Sequence, residues 1–351
     1  MATGDTGILL GTTGNNLYDA LGQNVRRVID QVNRTAPLLS ILRVEPADGK
    51  NVCWDANIGN ASGPKVYGEF EDVNFVTDAL PDDYVPAILG FSQYGKPIQI
   101  SSRAKSAAKA NANPEALMNV EDRQTANVIN EIARGLNGLM YTGAGTANTI
   151  AGMWVNQSTG AFACTGSYAG VNRNTYSGWK GSSPTTQPVT GSAISVDLIE
   201  QTRTNIFNAS GEFPDVLMTS PNTFRVLKNI FNGSAVRRWS PSEVADTVHD
   251  ELYISGMRVI PDYTISETDT YGKMYFLNTN WISIVTLMPA EGEDFFYLTG
   301  NDGKSVPIPV KALPIANLGA YSRLQLLTDL QLKVEKPNSC AYVGNLSLTV
   351  S

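Results

Sequence analysis

Residues 113 to 152, NPEALMNVEDRQTANVINEIARGLNGLMYTGAGTANTIAG, decide how the rest of the chain is read. Asn113 can cap a helix, Pro114 has no N–H to lose at the first helical position, and Glu115 is favoured at the positive end of the peptide dipoles. Apolar residues then recur at Leu117, Val120, Val128, Ile129, Ile132, Leu136, Leu139 and Met140, the spacing of a helix with one buried stripe. The pattern predicts a helix over 114–142, about 40 Å long at about 1.5 Å per residue, a strut longer than ordinary globular helices. Gly135 and Gly138 lie inside it, where each costs about 1 kcal/mol relative to alanine, so they are expected to permit a bend or a close backbone contact. Gly143 stands where a left-handed C-terminal cap is expected.

The glycine run at the end, YTGAGTANTIAG, could be a phosphate cradle or a terminator. A cradle needs a strand before it and a helix after it, so that helix-terminal amides point at the anion. Here the helix comes first, and its C-terminus offers carbonyls and partial negative charge. The following MWVNQS reads as extended chain, so the run is read as the joint where the strut stops.

Toward the N-terminus, Leu17, Leu21, Val25, Val28 and Val32 predict an amphipathic helix within 15–33, with Arg26 and Arg27 beside its apolar face. KNVCWDANI and KPIQISSRA then read as the two legs of an extended hairpin with a long excursion between them. Between Tyr67 and Val85 the excursion carries Glu69, Glu71, Asp72, Asp78, Asp82 and Asp83 without a lysine or arginine, interleaved with Phe70, Phe75, Leu80 and Tyr84. Acidic loops are ordinarily solvated; the aromatics favour an interface, with Arg26, Arg27, Arg237 and Arg238 as basic counterparts on a neighbouring copy.

Toward the C-terminus, 156–192 is polar and aperiodic, a connecting stretch of loops and short strands. An α/β pattern follows: a helix from Ser195 to about Asn208, the apolar strand DVLMTS, and a helix that starts at Pro221 behind the capping Ser220. YISGMRVIPDYTI and KMYFLNTNWISIVTLM read as strands, NDGK at 301–304 as a hairpin turn, and LGAYSRLQLLTDLQLKVEKPNSCAYVGNL as alternating sheet.

Composition narrows the function classes. Charged residues are 17% of the chain and the net charge is -7, against a usual charged share of about 25%. A low-charge, Asn/Thr/Ser/Gly-rich surface suits neutral contacts, and the acidic balance argues against affinity for phosphates and so against specific nucleic-acid binding. Cys53, Cys164 and Cys340 lack ligand spacing and read as reduced thiols. No secretory signal is expected at the N-terminus, and the apolar run Trp281–Met288 is too short to span a bilayer. His249, the only histidine, excludes two-histidine zinc motifs; beside Asp250 it reads as an ordinary surface or helix residue and not as a base. No nucleophile elbow or Walker loop occurs, and no catalytic, metal or cofactor residue is nominated.

The strut ending in YTGAGTANTIAGMWVN, with YAGVNRNTYSGWKG and FPDVLMTSPNTFRVL after it, resembles the major capsid proteins of tailed bacteriophages with the Hong Kong 97-type fold. The resemblance runs through nearly the whole chain in order. It implies an α+β capsid fold: an N-terminal arm (1–36), an extended hairpin loop or E-loop (50–105), and a peripheral domain (37–49 and 106–155) built on a spine helix at 114–142. A polar connecting segment (156–190), an axial α/β domain (191–300) and closing strands that return to the peripheral domain (301–351) complete it. It further implies self-assembly as pentamers and hexamers into an icosahedral head around double-stranded DNA, in the host bacterial cytoplasm. Scaffolding, portal and decoration proteins are the implied partners, with any scaffold a separate chain and no prodomain cleaved. Lys65 and Lys96 are conceivable cross-link donors, but nothing marks an asparagine partner. Two rivals stand beside this reading: an encapsulin-like compartment of the same fold, and a carboxylate-based small-molecule enzyme using the axial region.

Overall fold

The computed structural model describes residues 36–47, 49–58, 84–101, 114–146, 149–184, 187–232, 252–265, 271–288, 295–298, 308–315 and 321–348. The predicted strut is helix α2, Pro114–Thr142, preceded by the short α1, Pro37–Ile41, and strand β1, Arg43–Pro46. Ile132, Leu136, Met140 and Tyr141 along its C-terminal half are buried, as the stripe requires. The glycine run terminates it by folding back. Gly143 N–H donates to Leu139 O at 2.7 Å, and the amides of Met153 and Trp154 donate to the carbonyls of Met140 and Tyr141 at 2.8 and 2.9 Å, so carbonyls that a helix end leaves orphaned are satisfied. MWVNQS thus lies against the helix end, outside any strand.

The cap differs from expectation in one respect. Gly143 is not among the glycines with positive φ; the left-handed residue is Gly145, at φ 67°. Glycine is needed at 143 for space, because a Cβ there would sit 2.2 Å from Ile150 O.

The hairpin legs also differ. β2, Asn51–Asn57, pairs antiparallel with β3, Tyr84–Gly90, whereas KPIQIS belongs to β4, Ser92–Ser101, which pairs along β14, Tyr321–Val334. Pro86 hid β3 in the sequence, since proline argues against a strand unless the strand lies at an edge. β3 is such an edge: among the described residues no strand but β2 pairs with it, and Ile88 N–H donates instead to Ala169 O of an irregular stretch at 2.9 Å.

Two larger sheets make the body. The first has the order β1–β11–β14–β13–β12, with β11 Ile282–Thr286, β12 Phe295–Leu298 and β13 Ile308–Ile315; β4 also joins it through β14. The second has the order β15–β10–β7–β9–β8, with β7 Val216–Thr219, β8 Leu252–Ile254, β9 Met257–Pro261, β10 Tyr271–Leu277 and β15 Ala341–Ser347. The segment expected to be axial, 191–300, therefore gives β11 and β12 to the first sheet, and the closing segment 301–351 gives β15 to the second. WISIVT and CAYVGNL are both short apolar runs, and such runs do not encode which sheet they join.

Helices α3, Val196–Ser210, and α4, Pro221–Asn232, cover one face of the second sheet. Ser195 caps α3 through Leu198 N–H at 3.1 Å, and Ser220 caps α4 through Thr223 N–H at 3.2 Å. Strand side chains alternate between two cores: Leu217, Met274, Phe276 and Val343 pack with the two helices, while Val216, Met218, Tyr275, Leu277 and Tyr342 pack with α2 and the first sheet. Burial on both faces explains why DVLMTS reads as a continuous apolar run and not as an alternating one.

Candidate assembly site

With no catalytic residue nominated from the sequence, the features that matter are what projects, what is exposed on it and what holds it rigid. The β2–β3 ribbon has two unlike faces. Val52, Ala56 and Ala87 are buried, while Cys53, Asp55, Tyr84, Pro86 and Ile88 are exposed, Tyr84 at 62% and Ile88 at 48%. The covered face stands on an aromatic socket: Trp54 meets Tyr168 and Trp179 at centroid distances of 6.3 Å each. Trp179 Nε1 donates to Tyr168 O at 3.1 Å, and Tyr168 Oη accepts from Val334 N–H at 3.0 Å, so the socket is tied to β14. Burial pushes the Tyr168 phenol well above its usual range, and it stays protonated.

The socket belongs to the irregular segment 156–184, which is organised around one buried cation. Arg173 is 0% exposed and donates to four carbonyls: Gly160 and Ala161 at 2.8 and 2.9 Å, Thr165 at 3.2 Å and Trp179 at 3.3 Å. Its guanidinium also lies 5.5 Å from the Tyr168 ring centre. Burial lowers its pKa to about 10, still charged at neutral pH. Two short strands, β5 Ser167–Tyr168 and β6 Val171–Asn172, form the hairpin that presents it.

The spine is joined to the second sheet by a buried anion. Asp262, after β9 and 0% exposed, accepts from Asn137 Nδ2 at 2.6 Å and Tyr141 Oη at 2.9 Å on α2, and from the Thr264 amide and hydroxyl at 2.8 Å each. Asn137 Oδ1 in turn accepts from Leu38 N–H at 3.1 Å, which brings α1 into the same joint. Burial raises the Tyr141 pKa well above normal and the Asp262 charge adds to it, so the phenol remains a donor. An aromatic row continues the seam, with Tyr141–Tyr275 and Tyr275–Tyr342 centroids 4.9 Å apart and Tyr342 stacked on Trp154 at 4.5 Å.

Of the nominated residues, Arg26, Arg27, Glu69, Glu71, Asp72, Asp82, Asp83, Arg237 and Arg238 lie outside the described residues, as do Lys65, His249 and Asp250. Lys96, on β4, forms an ion pair with Glu131 on α2. Gly135 faces β4: a Cβ there would fall 2.1 Å from Tyr94 Oη, so glycine admits the tyrosine against the spine. Among the described residues nothing lies within 4 Å of where a Cβ on Gly138 would stand, and α2 runs as one helix through both glycines. The polar hubs Arg173, Asn137 and Asp262 were not nominated. Asn137 carried a signal, a polar residue between the apolar Leu136 and Met140 of the buried stripe.

A long spine helix beside one sheet, a second sheet covered by two helices, and a two-stranded ribbon at the side together form a shell-subunit architecture, and the family model for the SU10 major capsid protein matches residues 94–347. The chain belongs to the SU10 major capsid protein family. No curated protein matches it. Among solved structures this family member is similar to the Cyanophage A-1(L) capsid asymmetric unit, at 18% identity and a TM-score of 0.68 over 91% of this chain and 96% of that one. The SrpI encapsulin from Synechococcus elongatus PCC 7942 aligns at 12% identity and a TM-score of 0.59, over 93% of each chain. The capsid of the native GTA particle aligns at 12% identity and a TM-score of 0.54, over 97% of this chain and 99% of that one. At these identities the likeness is one of fold, the mixed α/β Hong Kong 97-type capsid fold. The SU10-type subunit is thus a major capsid protein, a structural and non-enzymatic component of the icosahedral head of a tailed-phage virion.

Proposed function

We propose that the subunits assemble as pentamers and hexamers around double-stranded DNA in the bacterial cytoplasm, and that the β2–β3 hairpin is the arm by which one copy grips the next. The observation that carries the hairpin's role is its pair of faces. One is fixed on the Trp54–Tyr168–Trp179 socket, and the other leaves Tyr84 and Ile88 exposed at the root of the acidic excursion. Exposed apolar side chains on a fixed ribbon suit a covered contact better than a solvated one. In this reading Glu69, Glu71, Asp72, Asp82 and Asp83 meet Arg26, Arg27, Arg237 and Arg238 of a neighbour, where charge pairs fix register more than they add net stability. Many copies of a modest contact supply avidity without covalent links. The division into arm, hairpin loop, peripheral and axial domains belongs to the same proposal, with scaffolding, portal and decoration proteins as further partners. The net charge of -7 fits a wall that does not hold the genome tightly.

The charge-reversed pair Asp82→Lys/Asp83→Lys tests the grip. The expected result is a several-fold lower yield of complete shells, partly restored by higher salt; normal yield and normal heat stability of full particles would overturn it. The encapsulin reading keeps one observation in its favour, the shared fold over 93% of both chains. Nuclease-protected DNA inside purified particles supports the phage head, and a protein cargo without DNA supports the compartment.

A further inference from the structure

Among the described residues the chain passes between the two large sheets at three places: from β4 to β7, from β10 to β11 through 278–281, and from β14 to β15 through 335–340. All three meet at one spot. Ser182, on the first passage, donates from its amide to Cys340 O at 3.0 Å and from its hydroxyl to Asn338 O at 2.5 Å. Glu335 N–H donates to Trp281 O at 2.9 Å, which ties the second passage to the third. The turn after α3 reaches in from the second sheet's side and places Glu212 there, with Gly211 left-handed at φ 76°.

Glu212 accepts from Asn278 Nδ2 at 2.8 Å and Trp281 Nε1 at 2.6 Å on the second passage, and from Lys336 Nζ at 2.9 Å on the third. Lys336 donates as well to Ser210 O at 2.9 Å and lies 5.2 Å from the Trp281 ring centre. We infer that Glu212 is an acid-released lock on this pivot: as a carboxylate it holds the second and third passages to the end of α3, and as a neutral acid it lets them go. An indole N–H and an ammonium can only donate, so protonating the one group that accepts from both removes the charge that strengthens those bonds and adds an O–H donor among donors.

Access and charge agree with that role. The Glu212 side chain is 37% exposed, so protons reach it, whereas Asp262 at the other joint is sealed. Burial works against its ionisation, but the hydrogen bonds from Lys336, Trp281 and Asn278 outweigh burial and hold its pKa below the usual 4.5. A depressed carboxyl contributes stability that is complete above its ordinary range and is lost as pH falls through the lowered value. Among the described residues, the other charged or titratable groups facing it are Lys336, Asp215 on its own loop and the Cys340 thiol, which burial pushes up to about 11 and so keeps neutral in acid. Asp215 accepts from the Thr279 amide at 2.9 Å, a second carboxylate holding the same passage, so the test must separate the two.

Hydrogen–deuterium exchange on assembled particles, between about pH 3 and pH 7 and corrected for intrinsic rates, reads the lock directly. In the wild type, amides of 278–281 and 335–340 are expected to lose about tenfold or more of their protection in one acid step. Glu212→Gln is expected to lack that protection at pH 7 already and to show no step. Wild-type protection in Glu212→Gln at pH 7, or an acid step that survives there and so belongs to another group, overturns the inference. If Glu212→Gln yields no particles, Lys336→Met decides: the step is expected to move up toward the ordinary glutamate range, and an unmoved midpoint overturns it.

Discussion

Arg173 and Asp262 are both fully buried, and among the described residues neither is paired with an opposite charge. Arg173 gathers backbone carbonyls of a segment that has almost no regular structure; Asp262 gathers side-chain and amide donors from the spine and its own turn. In the loop segment the backbone would be left with orphan carbonyls, and one planar cation with five N–H groups is the most compact donor for them. At the joint the helices and strands have satisfied their own backbones, and the charge serves to fix one element against another. The same device, a single buried charge surrounded by neutral dipoles, replaces secondary structure in one place and positions it in the other.

The contrast breaks most easily at Arg173. Arg173→Met keeps much of the apolar stem but strands the carbonyls of Ala161, Thr165 and Trp179, while Gly160 O keeps the Ala163 amide. A loss of about 3–5 kcal/mol is expected, the lower part of the sum for three unsatisfied buried acceptors at about 1–3 kcal/mol each. The temperature at which particles release subunits should fall steeply, and the tryptophan fluorescence of the Trp54–Trp179 socket should shift with it. A wild-type transition would mean that water can replace the guanidinium. At the joint, Asp262→Ala should cost about 1–3 kcal/mol by leaving Asn137 and Tyr141 as unsatisfied donors, and Tyr141→Phe about 1 kcal/mol, because Asp262 keeps its other partners. If Asp262→Ala were the more damaging of the two buried-charge variants, the ordering argued from the number of stranded backbone groups would be reversed.

What could be read from the sequence followed the range of the interactions involved. Helix α2 was visible because its first-turn proline and its apolar stripe lie within the helix itself, and Ser195 and Ser220 announced α3 and α4 in a similarly local way. The partner of β3 was not visible, because Pro86 and Gly90 look like turn chemistry and only a neighbouring edge makes them tolerable. Nor could β15 be assigned to the second sheet, since its pairing with β10 is settled by contacts some seventy positions apart in the chain. Asp262 meets Tyr141 across 121 positions, and Glu212 meets Lys336 across 124, distances at which one sequence carries no trace of the pairing. Arg173 is local, its farthest carbonyl 13 residues away, yet irregular segments have no periodicity against which an inward-pointing cation would stand out.

The smallest effect tests the reading of Gly135 as a contact glycine. In an exposed helix interior, alanine for glycine is worth about 1 kcal/mol of stabilisation. At 135 that gain is opposed by the clash of the new Cβ with Tyr94, whose hydroxyl lies 2.1 Å from it and whose ring carbon lies 2.8 Å away. The ring sits at the end of a flexible side chain, so it can swing aside at the expense of its packing on the spine. Gly135→Ala alone is therefore expected to be close to neutral, within about 0.5 kcal/mol. In a Tyr94→Ala background the clash is gone and the helix gain returns, so the double-mutant cycle should show a coupling of about 1 kcal/mol. Gly138, with open space around it, is the control: Gly138→Ala should stabilise by about the full helix increment whatever stands at 94. Zero coupling between 94 and 135 would show that the glycine serves the helix backbone and not the strand that leans on it.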